Sequence, residues 1–328
     1  MDRQGAVAAL RAAIAAFDRD FHGGDQWCVA LSGGADSLAL AAVAAGLKPT
    51  TALIVDHQLQ PDSGAVAQTA RQLAVASGCV AAQVITVDVG AEGGPEAAAR
   101  TARYRALDAA RDDMPVLLGH TLDDQAETVL LGLGRGSGPR SIAGMRPWDP
   151  PWGRPLLGVR RTVTRAACAE LGLTPWEDPH NADRRYTRVR LREEVLPLLE
   201  EVLGGGVAEA LARTAGALRA DTDTLDELAD HALGGVRRGD GLDSAELAAL
   251  PEALRLRVIR RWLLDGGAVG LTDKQIRAVD ALVTAWRGQG GVAVGSPLRE
   301  RRLIAGRSDG ILTLHTEPVR TMKNCARA

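Results

Sequence analysis

The sequence predicts an α/β protein: an open, parallel-sheet domain comes first, then a helical subdomain and a small β-hairpin element. Three observations carry this reading. Four apolar, strand-like runs recur at intervals of roughly thirty residues, the repeat of βα units in a parallel sheet. Helical patterns lie between them, closed by Gly or opened near Pro. The first strand turns through two glycines into a helix, at Leu31-Ser32-Gly33-Gly34-Ala35-Asp36-Ser37-Leu38.

In chain order, the Ala-rich start MDRQGAVAALRAAIAAFDRD is interrupted by Arg3, Arg11 and Asp18, so it reads as an amphipathic helix and lacks a signal-peptide apolar region. The strand-like runs are Trp27–Leu31, Ala52–Asp56, Val84–Val89 and Val116–Gly119. The helices between them are Asp36–Ala45 closed by Gly46 and Pro49, Val66–Ser77 closed by Gly78, and Glu96–Ala110 after Pro95. Ligands are expected at the carboxyl ends of such strands. Past residue 200, Gly204-Gly205-Gly206 reads as a hinge before the helical patterns Val207–Leu233, Ala253–Leu264 and Thr272–Trp286, the last with Thr272 as N-cap. Gly291–Leu314 alternates short apolar runs with turns and predicts a hairpin, while Thr316–Ala328 has no periodicity and is expected to be mobile. The predicted domains are 1–203, 204–290 and 291–328.

The chain's 328 residues are 46% hydrophobic, enough for a sizeable core, and with 3% aromatics that core must be built from Ala, Val and Leu. No apolar run approaches the ~18 residues of a membrane span, so a soluble, cytoplasmic protein with no membrane partner is expected. The cysteines, Cys28, Cys79, Cys168 and Cys325, form no CxxC pair, which argues against zinc, iron–sulfur or disulfide frameworks. Charge is segregated: residues 1–130 carry 9 basic and 16 acidic side chains, 135–192 carry 12 and 5, 193–253 carry 4 and 14, and 254–307 carry 11 and 4. The positive charge is almost all arginine, the better bidentate partner for phosphate.

The loop at 32–37 presents backbone N–H groups at a helix N-terminus, which makes Ser32, Gly33, Gly34 and Ser37 phosphate-contact candidates. It has no Lys and carries Asp36, so it is not a Walker loop. The ordinary alternative is a Ser/Gly-rich turn with an Asp-Ser helix cap. Val55-Asp56-His57 follows the second strand, and Gly119-His120-Thr121-Leu122-Asp123-Asp124-Gln125-Ala126-Glu127 follows the fourth. Thr121 and Asp124 have capping-box spacing, which leaves Glu127 unexplained. Asp123, Asp124 and Glu127 share one side of a first helical turn, a cluster suited to Mg²⁺ or an ammonium group. Arg100 and Arg103, one turn apart, form a clamp for phosphates or a carboxylate, unless they make plain surface ion pairs.

The segments SGGADS, VDHQLQPDS, EAAARTARYRAL, GHTLDDQAET, RGSGPRSIAGM, RPLL and WEDPHNADRRYTRVRLR occur in the order seen in the bacterial tRNA(Ile)-lysidine synthetase family, which this chain resembles over about residues 26–200. That family belongs to the ATP pyrophosphatase, or PP-loop, superfamily. Gln60, His180 and Val189 depart from the residues usual at those positions, and Pro139 and Ser141 alter the Gly-rich loop. The resemblance implies a PP-loop ATPase domain that ligates L-lysine to C2 of the wobble cytidine of CAU-anticodon tRNA(Ile). An adenylated cytidine is the intermediate; AMP and pyrophosphate are released. It implies ATP binding at Ser32, Gly33, Gly34, Ala35, Asp36, Ser37, Val55, His57, Gly119 and His120, with Asp36 as a Mg²⁺ or positioning ligand. Asp36, Arg100, Arg103 and Asp123 take catalytic roles, and Asp123, Asp124 and Glu127 hold the lysine. His120 reads as structural more readily than as a base. The two basic blocks put tRNA backbone contacts at Arg184, Arg185, Arg188, Arg190, Arg257, Arg260, Arg261 and Arg302. The alternatives are another PP-loop tRNA-modifying or amidating enzyme, or a non-catalytic nucleotide-binding module.

Overall fold

The computed structural model describes residues 5–21, 24–58, 62–90, 94–136, 138–178, 183–298 and 300–319. Gln60, His180, Cys325 and the chain from 320 onward lie outside the described residues. Two compact units are formed, Met1–Arg219 and Ala220–Ala328. Among the described residues no helix is long and apolar enough to cross a membrane.

The first unit runs α1 (Ala6–Phe21), β1 (Trp27–Ala30), α2 (Ala35–Ala45), β2 (Thr50–Asp56), α3 (Ser63–Ala76), β3 (Ala81–Thr86), α4 (Pro95–Ala110), β4 (Val116–Leu118), α5 (Leu122–Gly134), α6 (Pro139–Ile142), β5 (Trp148–Asp149), β6 (Trp152–Gly153), α7 (Arg161–Glu170), α8 (Thr187–Arg190), a π-helical turn (Leu191–Val195) and α9 (Leu196–Val202). The sheet order is β3-β2-β1-β4-β6-β5, parallel except for the β5–β6 pair. Chain order runs outward from β1 through β2 to β3 on one side, and on the other passes to β4 and then to the β5–β6 hairpin, whose second strand pairs with β4. The switch point between β1 and β4 therefore opens a crevice at the strands' carboxyl ends. The core is made largely of small aliphatic side chains, as the aromatic-poor composition requires: Leu38, Ala39, Leu40, Ala41, Val43 and Ala44 of α2 are all buried, with Leu10, Ile14 and Phe17 of α1 packed in the same cluster. Trp27 Nε1 donates to Thr50 Oγ1 at 2.8 Å inside that core.

The third strand begins and ends earlier than its apolar pattern predicts, because Ala81 and Ala82, poor strand formers, are held by pairing with Thr51 and Ala52. The three βα helices lie where the sequence places them, within three residues at each end, and the amphipathic N-terminal helix covers Ala6–Phe21.

Helix α10 (Val207–Val236) leads into the second unit, which continues with β7 (Arg237–Arg238), β8 (Gly241–Asp243), α11 (Ser244–Ala249), α12 (Glu252–Asp265), α13 (Asp273–Thr284), β9 (Val292–Val294), β10 (Arg301–Ser308) and β11 (Ile311–Pro318). Its strands form a five-stranded antiparallel sheet, β7-β8-β11-β10-β9. The C-terminal hairpin is thus part of a larger sheet: Leu242 of β8 pairs with Leu312 of β11 and both are fully buried. Thr272 caps α13 as expected, and the structure adds a capping box with Gln275. Thr316 to Pro318, expected to belong to a mobile tail, complete β11 by pairing with Leu303, Arg302 and Arg301.

Candidate active site

The loop after β1 is shaped by its own hydrogen bonds. Ser37 Oγ accepts from the Ser32 backbone N–H at 3.1 Å and donates to the Gly34 carbonyl at 3.1 Å. Gly33 sits at φ +86°, a conformation that side-chain-bearing residues rarely adopt, and its carbonyl accepts from Trp176 N–H at 3.0 Å. No side chain caps α2, so its first N–H groups remain directed at the crevice. Gly119, at the end of β4, lets the two elements meet: a Cβ there would lie 3.0 Å from Ser37 Cα and N.

Two cavities flank this loop. One of about 430 Å³ is lined by Leu53, Val55, His57, Val66 and Leu107, a mostly apolar setting fit for a purine ring and ribose. The other, about 700 Å³, is lined by Ala35 to Ser37, Gly119, His120, Asp124, Arg161 and Arg192. Ala30, Ser32, Gly34, Arg103, Trp176 and Asp178 line both.

Behind the second cavity lies an arginine–carboxylate network. Arg161, the first residue of α7, reaches three carboxylates on two helices: Nε donates to Asp36 Oδ2 at 3.1 Å, Nη2 to Asp124 Oδ1 at 2.5 Å, and Nη1 lies 3.6 Å from Glu127 Oε1. Its backbone N–H donates to Asp123 Oδ2 at 2.7 Å. The other Asp36 oxygen accepts from Thr164 Oγ1. Arg192 grips Glu127 through Nε at 2.8 Å and Nη2 at 3.3 Å, and Arg188 Nη1 is 3.7 Å from the same carboxylate, which is 0% exposed. Asp123 also meets Arg160 at 3.4 Å. The capping box is present: Asp124 Oδ2 accepts from Thr121 N–H and Oγ1, both at 2.8 Å, while Asp124 N–H donates to Thr121 Oγ1. Burial pushes the Asp36 carboxyl above its ordinary value, with Arg161 and Thr164 opposing. Burial works the same way on Asp124, but Arg161 and the Thr121 hydrogen bonds prevail and hold it below the usual range.

Arg103 faces both cavities, and burial with Arg100 nearby lowers its pKa, so an anion at this point would relieve a desolvated cation. Arg100 is exposed and stacks on Tyr104, its Cζ 4.9 Å from the ring centroid. His57 and His120 each have a buried Nδ1 without a hydrogen-bond partner among the described residues. Burial pushes His120 down to about 4, with Arg154, Arg103 and Arg100 adding to the effect and Asp124 opposing it. A neutral imidazole of that pKa is too weak a base to deprotonate an alkylammonium near neutral pH, which favours the structural role. Because the folded state disfavours His120 protonation, its contribution to stability is fully present above the free value of 6.5 and is lost as pH falls toward about 4. Thermal melts should therefore show a steeper loss of Tm between pH 6.5 and 4 in the wild type than in His120→Gln. Parallel curves would contradict the assignment.

The structure brings Ser32, Gly34, Ala35, Asp36, Ser37, Arg103, Gly119, His120 and Asp124 onto cavity walls, with Val55 and His57 beside them. Asp123 and Glu127 stand behind Asp124 and hold arginines. Sequence reasoning missed Arg161, Thr164 and Trp176; Trp176 was visible only as part of the WEDPHN segment. Of the basic residues, Arg184 and Arg185 are 71% and 83% exposed at their side chains, Arg184 lying 3.8 Å from Glu194 and Arg185 paired with Asp183. Arg190 pairs with Glu194, and Arg261 with Asp265. Arg302 is exposed on β10. Arg257 is 18% exposed and bonded to Asp226 at 3.1 Å.

A parallel sheet with an uncapped glycine loop at its switch point defines a nucleotide-binding α/β protein, and residues 8–199 match the PP-loop domain. Residues 242–309 match the TilS substrate binding domain. A tRNA(Ile)-lysidine synthase from Mycolicibacterium paratuberculosis is 72% identical, with 98% of this chain and 100% of that one covered. Another, from Mycobacterium tuberculosis, is 70% identical over 97% and 100%. The chain belongs to the tRNA(Ile)-lysidine synthase family. Among solved structures, the U34-tRNA thiolase NcsA from Methanococcus maripaludis shares the fold at a TM-score of 0.53 and 16% identity, covering 65% of this chain and 79% of that chain.

Proposed function

We propose that this enzyme, in the cytoplasm, joins the ε-amine of L-lysine to C2 of the wobble cytidine of a CAU-anticodon tRNA(Ile). The observation that carries the reading is the pair of contiguous cavities meeting at the PP-loop and Arg103, in a chain matched along nearly its whole length by relatives of that name. In the first step the cytosine O2 attacks the α-phosphate of ATP; the bond to the leaving oxygen breaks and pyrophosphate departs. The N–H groups at Gly34 to Ser37, with Arg103, offset the charge that grows on the phosphates. Arg100, on the exposed side of Tyr104, adds its positive charge to the same region. Asp36 fits a Mg²⁺ ion: such ions are held by one or two carboxylates together with substrate phosphates, and among the described residues no three His, Cys, Asp or Glu side chains form a protein cage. When bound, that ion neutralises phosphate charge.

In the second step the neutral ε-amine of lysine attacks C2, the C2–O bond breaks to expel AMP, and the attacking nitrogen releases one proton to solvent. Asp124, ionised and on the cavity wall, receives the substrate's ammonium, with Asp123 and Glu127 fixing the arginines around it. Adding lysine and CAU-anticodon tRNA together should elicit AMP formation that neither supports alone. AMP formed with ammonia or a sulfur donor in place of lysine would favour a different PP-loop enzyme, and failure to bind ATP would favour the non-catalytic module.

For the tRNA, Arg184, Arg185, Arg190, Arg260, Arg261 and Arg302 are backbone contacts, and Arg188 and Arg257 contribute while also holding Glu127 and Asp226. Arg184→Ala with Arg185→Ala should weaken tRNA binding and reduce the slope of log affinity against log salt by about 0.9 for each phosphate no longer neutralised, with ATP binding unchanged. An unaltered slope in filter binding across a salt series would remove these residues from the interface.

A further inference from the structure

Among the described residues, Asp124 and Glu127 each meet a second guanidinium besides that of Arg161, the one of Arg192, whereas Asp36 meets no other cation. Glu127 keeps two bonds from Arg192, and Asp124 keeps its bonds to Thr121. Asp123 is bonded to the Arg161 backbone, which a side-chain movement leaves in place, and to Arg160. Removing the Arg161 side chain from its present position would therefore strip one carboxylate oxygen of its cation, and that oxygen stands at the end of the phosphate loop. Arg161 is anchored at the start of α7 and lines the 700 Å³ cavity, so its guanidinium can turn without moving backbone.

We propose that Arg161 is a stand-in cation: it occupies the divalent-ion position at Asp36 in the nucleotide-free enzyme and is driven onto the ATP phosphates when the ion arrives with the nucleotide. A guanidinium and a divalent ion cannot share one carboxylate at about 4 Å without strong repulsion in a partly buried site. The phosphates give the displaced group a better partner than water, because arginine binds phosphate bidentately. Once turned, Arg161 joins Arg103, which lines the same cavity, as a second catalytic guanidinium for departure of pyrophosphate. The arrangement keeps the empty site from collecting free metal and makes ion and nucleotide arrive together. This inference rests on the proposed adenylation reaction.

The test uses the full-length enzyme, with Mn²⁺ as probe and electron paramagnetic resonance as readout. Without nucleotide, Arg161→Gln should bind Mn²⁺ at least about tenfold tighter than wild type, while with tRNA, ATP and Mg²⁺ its pyrophosphate release should fall about 10²–10³-fold. Arg161→Lys, which keeps the charge but bridges fewer carboxylates, should fall between the two in Mn²⁺ affinity and keeps the test available should the Gln variant not fold. Equal Mn²⁺ affinity in wild type and variant, or an unchanged rate of release, would overturn the proposal. Wild-type binding of a non-hydrolysable ATP analogue is measured alongside: its absence would count against the adenylation reading and not against Arg161 alone.

Discussion

Asp36→Ala is expected to lower tRNA-dependent pyrophosphate release by about 10²–10³-fold, the loss typical of removing one group that stabilises transition-state charge. The fold should survive. Asp36 sits in the first turn of α2, where alanine is an excellent helix former, and Arg161 retains Asp124 and Glu127 as partners after the change. Asp36→Asn separates charge from shape: it can still accept from Thr164 yet binds a divalent ion poorly, so it should resemble the alanine variant in rate. Quenched-flow measurement of pyrophosphate with saturating lysine checks both. A near-normal rate in either variant would remove Asp36 from the reaction.

Glu127→Ala should be the most destabilising single change in the first unit outside its apolar core, by about 3–5 kcal/mol, the range found when one partner of a buried ion pair is deleted. The carboxylate is fully buried and accepts from Arg192 through two nitrogens, with Arg188 and Arg161 within 3.7 Å. Its loss leaves several guanidinium groups facing one another with Asp124 as the nearest remaining acid. Glu127→Gln keeps the shape and one acceptor and should lose less. Urea unfolding followed by circular dichroism measures the difference, and an alanine variant within about 0.5 kcal/mol of wild type, the range of ordinary surface substitutions, would show that water reaches and neutralises the cluster.

How much of this was legible in the sequence depends on how far each signal reaches along the chain. The glycine turn between β1 and α2, the Thr121–Asp124 capping box and the Thr272 cap are written in residues within a few positions of one another, and each is found where its spacing places it. Arg161 and Asp36 are 125 residues apart, and no periodicity joins them. The basic block around 135–192 signalled that arginines gather there, but not that Arg161 and Arg192 turn inward to acids while Arg184 and Arg185 face solvent. The alternation at Arg188, Arg190 and Arg192 had no unique reading, and the π-helical turn resolves it by sending Arg190 toward Glu194 and the other two toward Glu127. In the second unit the sequence pattern predicts no strand between residues 233 and 253, yet Arg237 to Asp243 supplies two, β8 pairing with the edge of β11 and β7 with β8.

The six residues that line both cavities, Ala30, Ser32, Gly34, Arg103, Trp176 and Asp178, form a shared partition. In the proposed reaction a nucleotide seated on that partition would become part of the surface on which the amino acid and the cytidine rest, so the second cavity would acquire its final contour only with ATP in place. In kinetic terms this is a compulsory order of addition: lysine should bind measurably only to the nucleotide-loaded enzyme, and AMP, which occupies the same partition at the end of the cycle, should leave after the modified tRNA has lifted away from it.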